Sequence, residues 1–103
     1  GIIVPLVNTA EDAKRAVDRC KYPPMGVRSV GITRAQRFDL DFDGYMRRAN
    51  DEVAVIVQIE HVEAARNIEA ILDVPGIDAW RAAHGRRREL DPLVATAAPA
   101  RTA

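Results

Sequence analysis

Apolar positions fall into two repeating patterns along this chain, and the way they alternate sets the expected fold. The run Ile2-Ile3-Val4-Pro5-Leu6-Val7 is almost unbroken, the pattern of a strand buried on both faces, as parallel strands are. Asn8 and Thr9 end it. Thr9 and Asp12 have the spacing of a capping box, after which Ala13, Ala16, Val17 and Cys20 form one helical stripe. The helix stops near Lys21, because Tyr22-Pro23-Pro24-Met25-Gly26 cannot continue it: prolines lack the amide donor, and the residue before a proline avoids the α region. Residues 27–30 read as a short strand and 31–40 as a loop carrying Arg34 and Arg37.

Asp41 or Asp43 can cap a short helix through Tyr45, Met46 and Ala49, ending near Asn50 and Asp51. Residues 53–60, Val-Ala-Val-Ile-Val-Gln-Ile-Glu, give the clearest strand, turning polar only at its C-terminal end. Ala64, Ala65, Ile68, Ile71 and Leu72 then mark a core-facing helix that Pro75-Gly76 stops, and Ile77-Asp78-Ala79-Trp80 opens a further strand. Strand, helix, strand, helix predicts an α/β fold with a parallel sheet and right-handed crossovers; periodicity alone fits a barrel and an open sheet equally. After Trp80 the texture turns Arg-, Ala- and Pro-rich. The expected division is therefore 1–79 as the folded part and 80–103 as a divergent, poorly ordered tail.

At 103 residues the chain is far shorter than a complete (β/α)8 barrel of roughly 250. Fifteen basic and fifteen acidic residues cancel, so no global field argues for nucleic acid or an anionic membrane as partner. No apolar run reaches a membrane span and no secretory leader pattern opens the chain, which predicts a cytoplasmic location. The single cysteine, Cys20, lies on the helical stripe and reads as a buried small hydrophobe.

Side chains alternate along a strand, so Gln58 and Glu60 share a face. In parallel α/β architectures the active site lies beyond the C-terminal strand ends, where this pair falls. A carboxylate there is an oxygen ligand for a hard cation such as Mg or Mn, and the amide can donate to a carboxylate or keto oxygen. A solvated strand rim would carry the same residue types.

Six ordered segments add specificity: Val4-Pro5-Leu6-Val7-Asn8-Thr9-Ala10-Glu11, Lys21-Tyr22-Pro23-Pro24-Met25-Gly26-Val27-Arg28-Ser29-Val30-Gly31, Arg34-Ala35-Gln36-Arg37, Ala49-Asn50-Asp51-Glu52, Val57-Gln58-Ile59-Glu60 and Leu72-Asp73-Val74-Pro75-Gly76-Ile77-Asp78. Together they resemble the HpcH/HpaI aldolase family, the 4-hydroxy-2-oxo acid aldolases. The resemblance implies a partial (β/α)8 barrel of about three βα units, and a carbon–carbon lyase that cleaves 4-hydroxy-2-oxo acids to pyruvate and an aldehyde. It implies a divalent-metal cofactor, Mg or Mn, held in part by Glu60, with Gln58 contacting the small-molecule 2-oxo acid. It also implies a homo-oligomeric parent protein and requires no Schiff-base lysine.

The chain departs from the family pattern after Ile77-Asp78-Ala79, where a Gly-Pro-x-Asp-Leu-type strand bearing the second metal carboxylate is expected and Trp80-Arg81-Ala82-Ala83-His84-Gly85-Arg86 stands instead. The family's catalytic histidine and enolate-steadying arginine would fall before Gly1. The expectation is an incomplete, inactive central fragment, its later barrel replaced through a shifted reading frame or a gene-end rearrangement; the competing expectation is a non-catalytic α/β remnant or interaction module. Among the remaining residues, His61 reads as helix-start surface, His84 has no partner at ligand spacing, and Arg86-Arg87-Arg88 read as a solvated run. Arg34 and Arg37 suit anion steering or a subunit contact, and Trp80 suits the core.

Overall fold

Which segments pair and which cover them follows from their period. In the computed structural model, which describes residues 1–82, three strands form a parallel sheet in the order β1 (Ile2–Val4), β2 (Val55–Ile59), β3 (Ala79–Ala82). The register sets Ile3 beside Ile56, Val57 beside Trp80 and Gln58 beside Arg81. Helix α1 (Ala10–Cys20) follows β1, α2 (Phe42–Glu52) precedes β2, and α3 (Val62–Arg66) and α4 (Ile68–Leu72) connect β2 to β3.

The core lies on one side of the sheet. Val57 and Ile59 project there with Trp80 and meet Ala13, Ile68 and Ile71, all buried. The alternate residues, Ile3, Ile56, Gln58, Ala79 and Arg81, face the other way, and Ile3 is 47% exposed. Burial of β1 on both faces is therefore not what the structure shows, because the buried cluster covers only one face. Trp80 belongs to the core, as its sequence context suggested.

The start of α1 has the predicted capping box. Thr9 Oγ1 accepts from the Asp12 N–H at 3.1 Å, and Asp12 Oδ2 accepts from the N–H groups of Asn8 and Thr9 at 3.0 and 3.1 Å. The Asn8 N–H foremost, then Thr9 and Arg15, hold the Asp12 carboxyl below the usual carboxylate range against an opposing effect of burial. At the helix end Cys20 is buried and its thiol pushed up by burial.

Beyond α1 the chain leaves the core and returns at a neck. Lys21, only 5% exposed, donates from Nζ to the carbonyls of Asn50 at 2.6 Å and Val53 at 2.7 Å, the C-terminal carbonyls of α2 where a cation complements the helix dipole. Asn50 closes the neck from the other side: its Oδ1 accepts from the Tyr22 N–H at 2.7 Å and its Nδ2 donates to the Tyr22 carbonyl at 2.9 Å. The Tyr22 and Tyr45 hydroxyls meet at 2.9 Å, and the Arg28 guanidinium lies 4.6 Å over the Tyr22 ring.

Two further sequence expectations are corrected. Residues 27–30 form no strand, because their amides are spent on the end of α1: Val27 donates to the Asp18 carbonyl at 2.7 Å and Arg28 to that of Lys21 at 3.0 Å. The helix expected through Ala64–Leu72 positions is broken at Asn67 (φ −97°, ψ 8°), whose side chain donates to the Asn8 carbonyl at 2.9 Å. Its apolar stripe survives the break, with Ala64, Ala65, Ile68, Ile71 and Leu72 all buried.

Candidate functional site at the end of the central strand

Pro5 ends β1, since it has no amide to continue the ladder, and Leu6 follows in the left-handed region with φ 56°. A non-glycine residue there costs about 1–2 kcal/mol, and the turn directs its amide across to the neighbouring strand. The Leu6 N–H donates to Glu60 Oε1 at 2.8 Å, while Gln58 Nε2 donates to Glu60 Oε2 at 3.0 Å. The half-buried Glu60 carboxylate is thereby held at both oxygens beyond the C-terminal end of β2. Gln58 keeps a second N–H and its carbonyl oxygen for another group.

The structure thus brings together the two residues that alternation placed on one face. It adds two that sequence reasoning missed. The Leu6 donor is a backbone group in an unusual conformation and carries no side-chain signal. Arg81 stands beside Gln58 in register, on the same face, and forms no ion pair among the described residues. Alternation counted from Ala79 would have found it. His61 caps α3 instead of joining the site: its Nδ1 accepts from the Glu63 N–H at 3.2 Å. His84 and Arg86-Arg87-Arg88 lie outside the described residues.

A divalent cation needs several oxygen or nitrogen ligands, and Glu60 supplies one carboxylate. Among the described residues no group of three or more His, Cys, Asp or Glu is placed to hold a metal ion. The residues present therefore do not make a metal site by themselves. A separate cleft of about 290 Å³ opens between β1 and α1, lined by Val4, Leu6, Asp12, Arg15, Arg19 and Cys20 among others. Its lining does not include Gln58 or Glu60.

Comparison with known proteins defines the class. The HpcH/HpaI aldolase/citrate lyase family model matches residues 1–83, and the chain belongs to that family. A 4-hydroxy-2-oxo-heptane-1,7-dioate aldolase of Shigella flexneri is 46% identical over 79 residues, covering 75% of this chain and 29% of its own length. A 2-keto-3-deoxy-L-rhamnonate aldolase of Klebsiella pneumoniae is 44% identical over 79 residues, with the same shares covered. The chain thus spans under a third of the length of these relatives. Among solved structures, an HpcH/HpaI aldolase/citrate lyase family protein of Burkholderia cenocepacia matches with TM-score 0.79 and 27% identity, over 94% of this chain and 45% of that one. An HpcH/HpaI aldolase of Desulfitobacterium hafniense matches with TM-score 0.72 and 31% identity, over 94% of this chain and 44% of that one. The parallel sheet is accordingly part of a (β/α)8 barrel. Among the described residues no helix is long and apolar enough to cross a membrane.

Proposed function

We propose that this chain is the central part of a cytoplasmic, homo-oligomeric carbon–carbon lyase that cleaves 4-hydroxy-2-oxo acids to pyruvate and an aldehyde, and that its residues alone do not complete the active site. The observation that carries the reading is the Glu60 carboxylate held by Leu6 and Gln58 at the mouth of β2. In the whole enzyme Glu60 is one oxygen ligand of a divalent cation, Mg or Mn, whose other ligands come from outside the described residues. Gln58 orients the 2-oxo acid through its remaining N–H, and its bond to Glu60 keeps that N–H aimed. The family match and the aldolase relatives support this reaction class.

A chimera tests the reading. Residues 1–79 replace the matching segment of the Shigella flexneri 4-hydroxy-2-oxo-heptane-1,7-dioate aldolase, and pyruvate release is followed with Mg or Mn present. The chimera is expected to be active, its Glu60→Ala form at least about 100-fold slower, and the isolated chain silent. Full activity of the Glu60→Ala chimera overturns the role of Glu60.

A second reading, a non-catalytic α/β remnant or interaction module, draws on the finding that among the described residues no group of three or more His, Cys, Asp or Glu could hold a metal ion. It predicts unchanged thermal stability of the isolated chain in millimolar Mg or Mn, since a ligand specific to the folded state stabilises it.

A further inference from the structure

The sheet face that carries Gln58 also carries a cation that the site described above leaves without a task. Its strand residues are Ile3, Ile56, Gln58, Ala79 and Arg81, and of these Arg81 alone is charged. Alternation puts it there: Trp80, the preceding residue of β3, is 4% exposed in the helix-side core, so Arg81 projects from the opposite face.

The register arranges this face in rows. Ile3, Ile56 and Ala79 form one apolar row, and the next row toward the C-terminal strand ends holds Gln58 and Arg81 side by side. Glu60 stands one alternate position further on, at the rim. Neighbouring strands lie about 4.8 Å apart, so the Arg81 guanidinium and the Gln58 amide are within reach of one small ligand. The apolar row closes the floor beneath them.

Arg81 lacks an anion. Its side chain is exposed and forms no ion pair among the described residues. Glu60 is engaged elsewhere, Oε1 accepting from the Leu6 N–H and Oε2 from Gln58 Nε2. In the (β/α)8 barrel this face is turned inward, where a guanidinium is costly unless an anion pairs with it, and arginine does not shed its charge. Its planar fork of donors matches a carboxylate at both oxygens, and the remaining N–H of Gln58 is a further donor to the same group.

We propose that Arg81 and Gln58 form a carboxylate seat on the inner face of the sheet, and that a 2-oxo acid enters it carboxylate first, with its keto group left on the Glu60 side. This deepens the lyase reading above and rests on it for the identity of the ligand. The guanidinium also offsets the repulsion between Glu60 and an incoming anion. Arg81 lies in the stretch where the sequence departs from the family pattern, so the resemblance does not assign it.

The test is a metal-free titration of the isotope-labelled full chain with pyruvate, followed by NMR at the Gln58 side-chain amide and the Arg81 Nε–H. Pyruvate and acetate are expected to shift both signals, and acetone, a neutral methyl ketone, to shift neither. Arg81→Gln is expected to weaken pyruvate binding at least about tenfold, the scale of a lost charge-assisted hydrogen bond, with unchanged circular dichroism. Arg81→Lys, which keeps the charge, is expected to restore part of the affinity, and Arg19→Gln, in the cleft between β1 and α1, to leave it unchanged. A wild type that ignores pyruvate, binding of acetone as tight as that of pyruvate, undiminished binding by Arg81→Gln, or loss of binding in Arg19→Gln overturns the seat. The chimera above carries residues 1–79 and lacks Arg81, so the lyase reading is judged separately by that experiment.

Discussion

The two faces of the sheet use the same strands and have opposite properties. On the helix side Val55, Val57 and Ile59 are 0% exposed and packed. On the other side Ile56 and Gln58 are half-buried, Ile3 is 47% exposed, and Glu60 sits at the rim held by two hydrogen bonds. One period-two alternation therefore separates the packed residues that hold the chain together from the face that carries Gln58 and Glu60. In the (β/α)8 barrel of which the sheet is part, the face turned away from the helices is the inner one.

The comparison breaks most visibly on the packed side. Ile59→Ala is expected to cost about 2–5 kcal/mol in urea unfolding, from lost burial plus the cavity left behind. A cost as small as that of a surface substitution would mean the two faces are not distinct. Gly76→Ala comes next. Gly76 has φ +95°, and a Cβ there would lie 2.7 Å from Val17 Cγ1, so the change is expected to cost more than about 1 kcal/mol by the same measurement.

Thr9→Ala removes the α1 cap and is expected to cost about 1 kcal/mol. The same cap carries a pH signature. Because the folded carboxyl of Asp12 is lowered, its contribution is fully present above the ordinary value of 3.8 and is lost as pH falls through the lower folded value. Urea titrations at stepped pH are expected to show less acid destabilisation in Asp12→Asn than in wild type. The smallest effect lies on the open face, where Glu60→Gln is expected to change unfolding free energy by less than about 0.5 kcal/mol while removing its capacity as an anionic ligand. A large loss there would assign Glu60 to stability instead.

Much of this division was legible in the sequence. The run around Val57 and Ile59, the stripe through Ile68 and Ile71, and the Thr9 and Asp12 spacing placed elements and core, and alternation put Gln58 with Glu60. What escaped it was set by the backbone. The amides of Val27 and Arg28 cap α1 in place of pairing in a sheet, Asn67 interrupts a helix whose apolar period continues through it, and the Leu6 amide reaches Glu60 from 54 residues away. Arg81 escaped for another reason: the composition change after Trp80 hid a strand that runs on to Ala82.

The neck made by Tyr22 and Asn50, 28 residues apart, leaves and re-enters the molecule at nearly the same point. Its hydrogen bonds fasten the base of the segment between α1 and α2 independently of that segment's length. Extra residues at the tip near Asp39 then cost only loop-closure entropy, about 0.6 kcal/mol for each doubling of the loop. Changes of length at the tip are in this way decoupled from the sheet and the Glu60 rim.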